Sequence, residues 1–214
     1  MNFFTPMSAS GEIVDRDGDR LPASVVKILE GALRVIGSRG ARRLSMSDIS
    51  DASGVSRGTL YRYFSTKDEV LAAVSEFVSL NFESGIRDAA EQHDAPLERL
   101  RAVMAFFLGF TIERTPERMF EIEPVFYLEF FRSHFGRHTT AVREALDRSF
   151  DYLDTLRRTP LDREALVEAL VRMQLSSLIV PASKHWTELW ESGPETLESW
   201  IIELAGRGPA LQES

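Results

Sequence analysis

The chain has 214 residues, 43% of them apolar, enough for one or two small domains with a buried core. It has no cysteine, so disulfides, thiolate metal sites and cysteine nucleophiles are excluded. Its net charge of −8 counts against a nucleic-acid binder until the distribution is read: from Pro22 to Lys67 eight bases stand against three acids, a local +5 in an acidic chain.

The opening MNFFTPMSASGE has no basic n-region and no long apolar run, and no later window nears ~20 consecutive apolar residues. The expectation is a soluble, cytoplasmic protein with no membrane span. Residues 1–20 are polar, and Asp15, Asp17 and Asp19 make them a solvated, disordered arm rather than a phosphate contact. Pro22 suits the first position of a helix, Val25, Ile28, Leu29, Leu33 and Ile36 line one face of it, and Gly40 stops it. Arg42 and Arg43 fall in the connection that follows.

From Ser45 to Lys67 the sequence reads as two short helices around a tight turn, then the start of a third. Ser45 and Asp48 have capping-box spacing. Ile49 and Ala52 make one side apolar, Gly54 permits the sharp turn, and Val55 plugs the angle between the helices. Ser56 caps the next helix, from which Leu60 and Phe64 face inward while Thr59, Tyr61, Arg62 and Tyr63 face more or less outward. Ser65 with Asp68 opens the third helix and puts Lys67 in its first turn. This is helix-turn-helix geometry.

The third helix is predicted to be long, with Val70, Leu71, Val74, Phe77, Val78, Phe82 and Ile86 on its apolar face. Pro96 starts another, running to about Glu113 and apolar nearly all round from Val103 to Phe110. Pro124 predicts a break and Gly136 a stop, with a new helix from about His138 to Arg158. Asp162 caps a helix to about Val180. A loop from Pro181 to Gly193 carries Trp186 and Trp190, and a last helix runs from Pro194 to about Ala205. No strand pattern or internal repeat occurs. The fold class is all-α, with about nine or ten helices.

Gly40, Ser45-Met46, Asp48-Ile49, Ala52, Gly54-Val55-Ser56, Gly58-Thr59-Leu60-Tyr61, Tyr63-Phe64, Lys67 and Leu71 together resemble the N-terminal signature of the tetracycline-repressor (TetR) family. The likeness covers roughly residues 24–72, with serine at 50 and 53 where alanine is usual and tyrosine at 63 where histidine is common. It implies a helix-turn-helix module over 21–66 and a helical effector-binding and dimerisation domain over 67–206, with a frayed tail over 207–214. It also implies that Arg42, Arg43, Ser45, Ser47, Ser56, Arg57, Gly58, Thr59, Tyr61, Arg62, Tyr63 and Lys67 meet DNA. Arg57 and Arg62 are suited to guanine edges or phosphate, and Ser45 and Lys67 to phosphate at helix starts.

Phenylalanines crowd residues 106–135, around Gly109 and Pro124. That composition, with the resemblance, places a pocket for an apolar effector at Phe106, Phe107, Phe110, Phe120, Phe126, Tyr127, Phe130 and Phe131, with Arg132 and His134 as polar contacts. Leu166, Leu170, Leu178, Leu197, Trp200, Ile201 and Leu204 are the candidate interface of a homodimer. Among His93, His134, His138 and His185 the only i, i+4 pair is His134 with His138, and these two straddle Gly136 and read as surface, so no metal face emerges. Glu113, Glu121, Glu123 and Glu129 read as solvated, and no nucleophile elbow, triad or phosphate loop is present. The expected function is a regulator, no enzyme and without cofactor, that binds a palindromic double-stranded operator and releases it on binding a hydrophobic small molecule. The rival is a helical ligand- or partner-binding protein with no operator.

Overall fold

The computed structural model describes residues 20–114, 122, 124–156, 160–180 and 183–206, apart from the side chains of 111–114, 190–191, 197–198 and 200–206. The expected arm over 1–19, the tail over 207–214, Phe120, Glu121, Glu123, and the side chains of Glu113, Trp190, Leu197, Trp200, Ile201 and Leu204 lie outside the described residues. Among those described, the regular elements are helical and the fold is all-α. They are α1 (Ala23–Arg39), a 3-10 turn (Ala41–Arg43), α2 (Met46–Ser53), α3 (Arg57–Tyr63), α4 (Lys67–Glu91), α5 (Pro96–Arg114), α6 (Pro124–Ala145), α7 (Asp147–Thr155), α8 (Arg163–Ile179) and α9 (Lys184–Gly206). No described helix is long and apolar enough to cross a membrane.

The chain divides into two compact units, Met1–Gly85 with Glu113–His138, and Ile86–Ile112 with Thr139–Ser214. In the first, Val25, Ile28, Leu29, Ala32, Ile36, Ile49, Leu60, Val70, Val74 and Phe77 form one buried cluster across α1 to α4. Each of these side chains other than Ala32 contributes roughly 1.5–3 kcal/mol by leaving water. Phe126 and Tyr127, on the first turn of α6, pack against this cluster. In the second, Leu100, Val103, Met104, Phe106, Phe107, Val142, Leu146, Phe150, Leu153, Val167 and Val171 are buried. Arg163, beside the Asp162 cap, spans to Asp147, Asp151 and Asp154 and so ties α8 to α7.

Three local expectations are corrected, two of them by tertiary packing. Gly136 does not stop a helix: α6 runs through it from Pro124 to Ala145. A helical glycine costs about 1 kcal/mol relative to alanine. Within the first unit alone, the bonds made by the next two residues, Arg137 and His138, offset that cost. His138 is accordingly buried, not at the surface as the sequence suggested. The expected loop over Pro181–Gly193 is largely the start of α9, which contains Pro194. There the Trp186 indole donates to Ser177, and Gly193 sits so near α5 that a Cβ would lie 2.1 Å from Met104 Cε. The cap of α4 shifts by one position: Thr66 accepts from the Glu69 amide and Glu69 accepts from the Ser65 amide, in place of Ser65 with Asp68.

Candidate nucleic-acid interface

The helix-turn-helix is built from short-range hydrogen bonds. Ser45 caps α2 by accepting from the Asp48 amide at 3.2 Å, and the Asp48 carboxylate accepts from the Ser45 amide, also at 3.2 Å. The Ser45 hydroxyl first, then the Ser45 amide and nearby Arg39, hold the Asp48 carboxyl below the usual carboxylate range. Gly54 closes the helix at φ 67°, a left-handed position that a side chain would strain. The two serines that replace the usual alanines act here. The buried Ser50 hydroxyl donates to the Val55 carbonyl at 2.7 Å, and Ser53 donates to the Ser50 carbonyl while accepting from the Val55 amide. Gly31 of α1 lets α2 come close, since a Cβ there would lie 2.7 Å from Ser53 Cβ.

Helix α3 is capped by Ser56, which accepts from the Thr59 amide at 3.2 Å; the two hydroxyls also lie 3.0 Å apart. Leu60 is fully buried and anchors the helix. Around it Ser56, Arg57, Gly58, Tyr61 and Arg62 are exposed, Tyr61 by 54%. Arg57 donates to Ser47 at 2.7 Å, which joins the start of α3 to α2 and presents the guanidinium on the same face. Arg42 and Arg43 are exposed on the 3-10 turn, and Lys67 is half-exposed at the first position of α4.

Of the twelve residues singled out for DNA, Ser47, Thr59, Tyr63 and Lys67 are half-buried, and Tyr63 has the most evident structural partners. It packs against the core cluster, accepts a hydrogen bond from Ser24 at 3.1 Å and lies under the Arg62 guanidinium, 4.9 Å from ring centre to carbon. Those two groups, Ser24 first, pull its hydroxyl below the usual phenol range. Ser24 lies 39 positions away and carries no local signal. Arg34, another residue that motif reading passes over, donates to the Ala52 carbonyl at 2.6 Å and clamps α1 to the end of α2.

The candidate effector residues fall in both units. Phe106 and Phe107 are buried and Phe110 half-buried in the second; Phe126, Tyr127, Phe130 and Phe131 are half-buried in the first. Phe130 stacks on His134 at 4.6 Å between ring centres. On the same helix His138 packs on Phe82 and lies 3.0 Å from the Ser79 hydroxyl, which donates to Glu83. Arg137 pairs with Glu76 and Glu83 at 2.9 Å each. Burial first, then His134 and Arg137, push the His138 pKa down to about 3, so the ring is neutral at ordinary pH. Of the candidate interface residues with described side chains, Leu170 is covered within the chain, while Leu166 near the start of α8 and Leu178 near its end are half-buried, Leu178 next to exposed Ile179 and Val180. Among the described residues no cluster suited to a metal ion forms.

The profile of the family described as bacterial regulatory proteins, tetR family, matches residues 28–74, the module just described. Over 98 residues the chain is 36% identical to the HTH-type transcriptional activator FasR of Mycolicibacterium smegmatis, a match covering 45% of each chain, so it spans under half the length of that relative. The structure of SCO4454, a TetR-family transcriptional regulator from Streptomyces coelicolor, superposes with a TM-score of 0.61 at 19% identity, over 85% of this chain and 92% of that one. AibR, solved in complex with isovaleryl coenzyme A and operator DNA, gives 0.52 at 19% identity, over 85% and 97%. At these identities the structural likeness speaks for the fold.

Proposed function

We propose that the chain, whose residues 28–74 match the tetR family of bacterial regulatory proteins, regulates transcription as a homodimer, its two α3 helices reading the half-sites of a palindromic operator. One observation carries this reading: α3 is anchored by Leu60 and capped by Ser56, yet leaves Arg57, Gly58, Tyr61 and Arg62 bare on one basic surface. Gly58 adds weight. A Cβ there would meet nothing within 4 Å, so the fold gives no packing reason for glycine inside a helix, whereas close approach of a DNA backbone does. Half-sites one helical turn apart, roughly 34–36 Å, require two modules, and the exposed Ile179 and Val180 beside Leu178 leave an apolar end of α8 available to a second copy.

The sign proposed is repression, with release by a hydrophobic small molecule at the aromatic residues from Phe126 to Phe131 on α6. Phe130 and Phe131, half-buried and 5.4 Å apart between ring centres, support an apolar effector. FasR is described as an activator, so the sign rests on the commoner habit of the resembled family and is open to direct measurement. The test is a gel shift with the DNA flanking the gene, using the parent, Arg57→Ala and Arg62→Ala. Loss of a base-reading arginine weakens specific binding by about 1–3 kcal/mol, and Lys67→Ala weakens all sequences alike while flattening the salt dependence. Variants that stay folded and bind as the parent does would remove α3 from the interface.

A further inference from the structure

The first unit holds a cleft of about 570 Å³ whose lining includes Arg42 and Arg43, two of the residues read above as DNA contacts. Ser38 and Arg39 from the end of α1 and Arg42 and Arg43 from the 3-10 turn form one wall; Pro124 and Val125 from the start of α6 form another. The size lies within the roughly 300–1,000 Å³ range of small-molecule sites. Among the described lining residues there are three guanidinium groups and no carboxylate. Arg39 reaches out of the wall to Asp48 at 3.2 Å, yet its side chain stays 64% exposed, and Arg43 is exposed on its turn. The planar forks of Arg39 and Arg43 suit the paired oxygens of a carboxylate or phosphate. The opposite wall is of another kind: Val125 is 50% exposed beside the ring of Pro124, an apolar surface with nothing polar to offer an inorganic ion. Cations facing an exposed apolar wall suit a molecule that has both an acid head and a hydrocarbon body.

We propose that this cleft binds a small amphipathic oxyanion, its head on Arg39 and Arg43 and its apolar body on Pro124 and Val125. The site is separate from the aromatic residues proposed for the effector, and its occupancy does not depend on the operator reading. Its position gives it a consequence. The residues after Val125, Phe126 and Tyr127, pack on the core of the DNA module, so an occupant bears on the seat of α6 against that module.

The experiment is calorimetric titration of the full chain with octyl phosphate below its micelle concentration, inorganic phosphate and octanol. Octyl phosphate is expected to bind at least tenfold more tightly than either of the others. Arg43→Gln, at an exposed position that leaves the fold intact, is expected to weaken octyl phosphate at least tenfold. Val125→Ser is expected to reduce the advantage of octyl phosphate over phosphate. Equal binding of phosphate and octyl phosphate, with displacement of both by a non-specific duplex, would make the arginines a track for the DNA backbone and overturn the proposal. Binding of octyl phosphate unmoved by Arg43→Gln, or no binding at all, would overturn it as well.

Discussion

Ser45, Ser50, Ser53 and Ser56 each bond to a group no more than five positions away, and together they shape the turn and both helix starts. Along α4 and α6 the polar groups find their partners 54 to 61 positions away: Arg137 with Glu76 and Glu83, His138 with Ser79. The first set needs only the local chain to form. The second exists only once α4 and α6 have packed side by side, and it is half-buried or buried throughout. A rigid reading head and a tertiary clamp thus sit in one unit, and they answer to different perturbations.

Breaking the clamp carries the largest expected effect. Arg137→Ala leaves Glu76 and Glu83 facing a vacated site, with two like charges no longer bridged. Burial alone would disfavour the Arg137 charge; the bonds to Glu76 and Glu83 outweigh it and raise its pKa. Removing one partner of such a half-buried network costs about 2–3 kcal/mol. Urea unfolding of the full chain reads it directly. A loss no larger than that of a cap substitution would mean that the clamp is worth no more than a surface ion pair.

The contrast between near and distant partners also explains what was legible. The caps at Ser45, Ser56 and Asp162, the left-handed Gly54, and the buried Ile49 and Leu60 follow from spacing alone, because each signal and its partner share one turn of chain. The continuity of α6 through Gly136, the burial of His138 and the helical start of α9 do not follow from spacing. Their causes lie on other elements: Ser79 and Phe82 for His138, Met104 and Ser177 for the segment around Trp186 and Gly193. The candidate interface was legible for the same reason as the caps, except at Tyr63, whose hydroxyl is claimed by Ser24 across the module. The arginine cleft was half visible: Arg42 and Arg43 adjoin in sequence, but Pro124 and Val125 arrive from beyond α5.

Acid sharpens the contrast. His138 has a folded pKa near 3 against about 6.5 unfolded, so the unfolded chain takes the proton first. Its neutral burial costs nothing above pH 6.5. Below that, stability falls as pH falls, with a slope approaching 1.4 kcal/mol per pH unit, and the loss continues towards pH 3. The groups facing the ring are Ser79, Phe82, Phe130, His134 and neighbouring Arg137, with Glu83 behind Ser79. Unfolding free energies at pH 6.5 and pH 5, taken for the parent and His138→Gln, isolate this ring from the other titrating groups. Equal pH dependence in the two proteins would show that the ring is not kept neutral by its surroundings.

The reading head should respond more weakly and only locally. Ser45→Ala removes the cap of α2 and with it about 1 kcal/mol. For a chain of this size that corresponds to a fall of about 2–4 °C in Tm. The Asp48 carboxyl should move back towards its ordinary range as it loses its main hydrogen bond, the one from Ser45. Carbon-13 titration of that carboxyl follows the change without reference to DNA. A cap loss that propagated to the clamp, seen as a changed His138 titration, would break the separation drawn between the two sets.

The smallest effect on stability is also the one that separates folding from reading. Gly58 lies on the first turns of α3, exposed, and a Cβ there would meet nothing within 4 Å. On folding grounds alanine is the better residue, by up to about 1 kcal/mol in a helix interior and less near an end. Gly58→Ala should therefore raise the unfolding midpoint slightly. If α3 meets the operator as proposed, the added methyl occupies the gap between helix and DNA. Binding then weakens, by more than the small change in fold stability, while circular dichroism and the His138 titration stay as in the parent. A substitution that stabilises the fold and harms recognition has no explanation within the folded chain alone. If Gly58→Ala stabilises the protein and binds the operator as tightly as the parent, the bare backbone at this position has no part in DNA contact, and the reading of α3 falls back on Arg57 and Arg62.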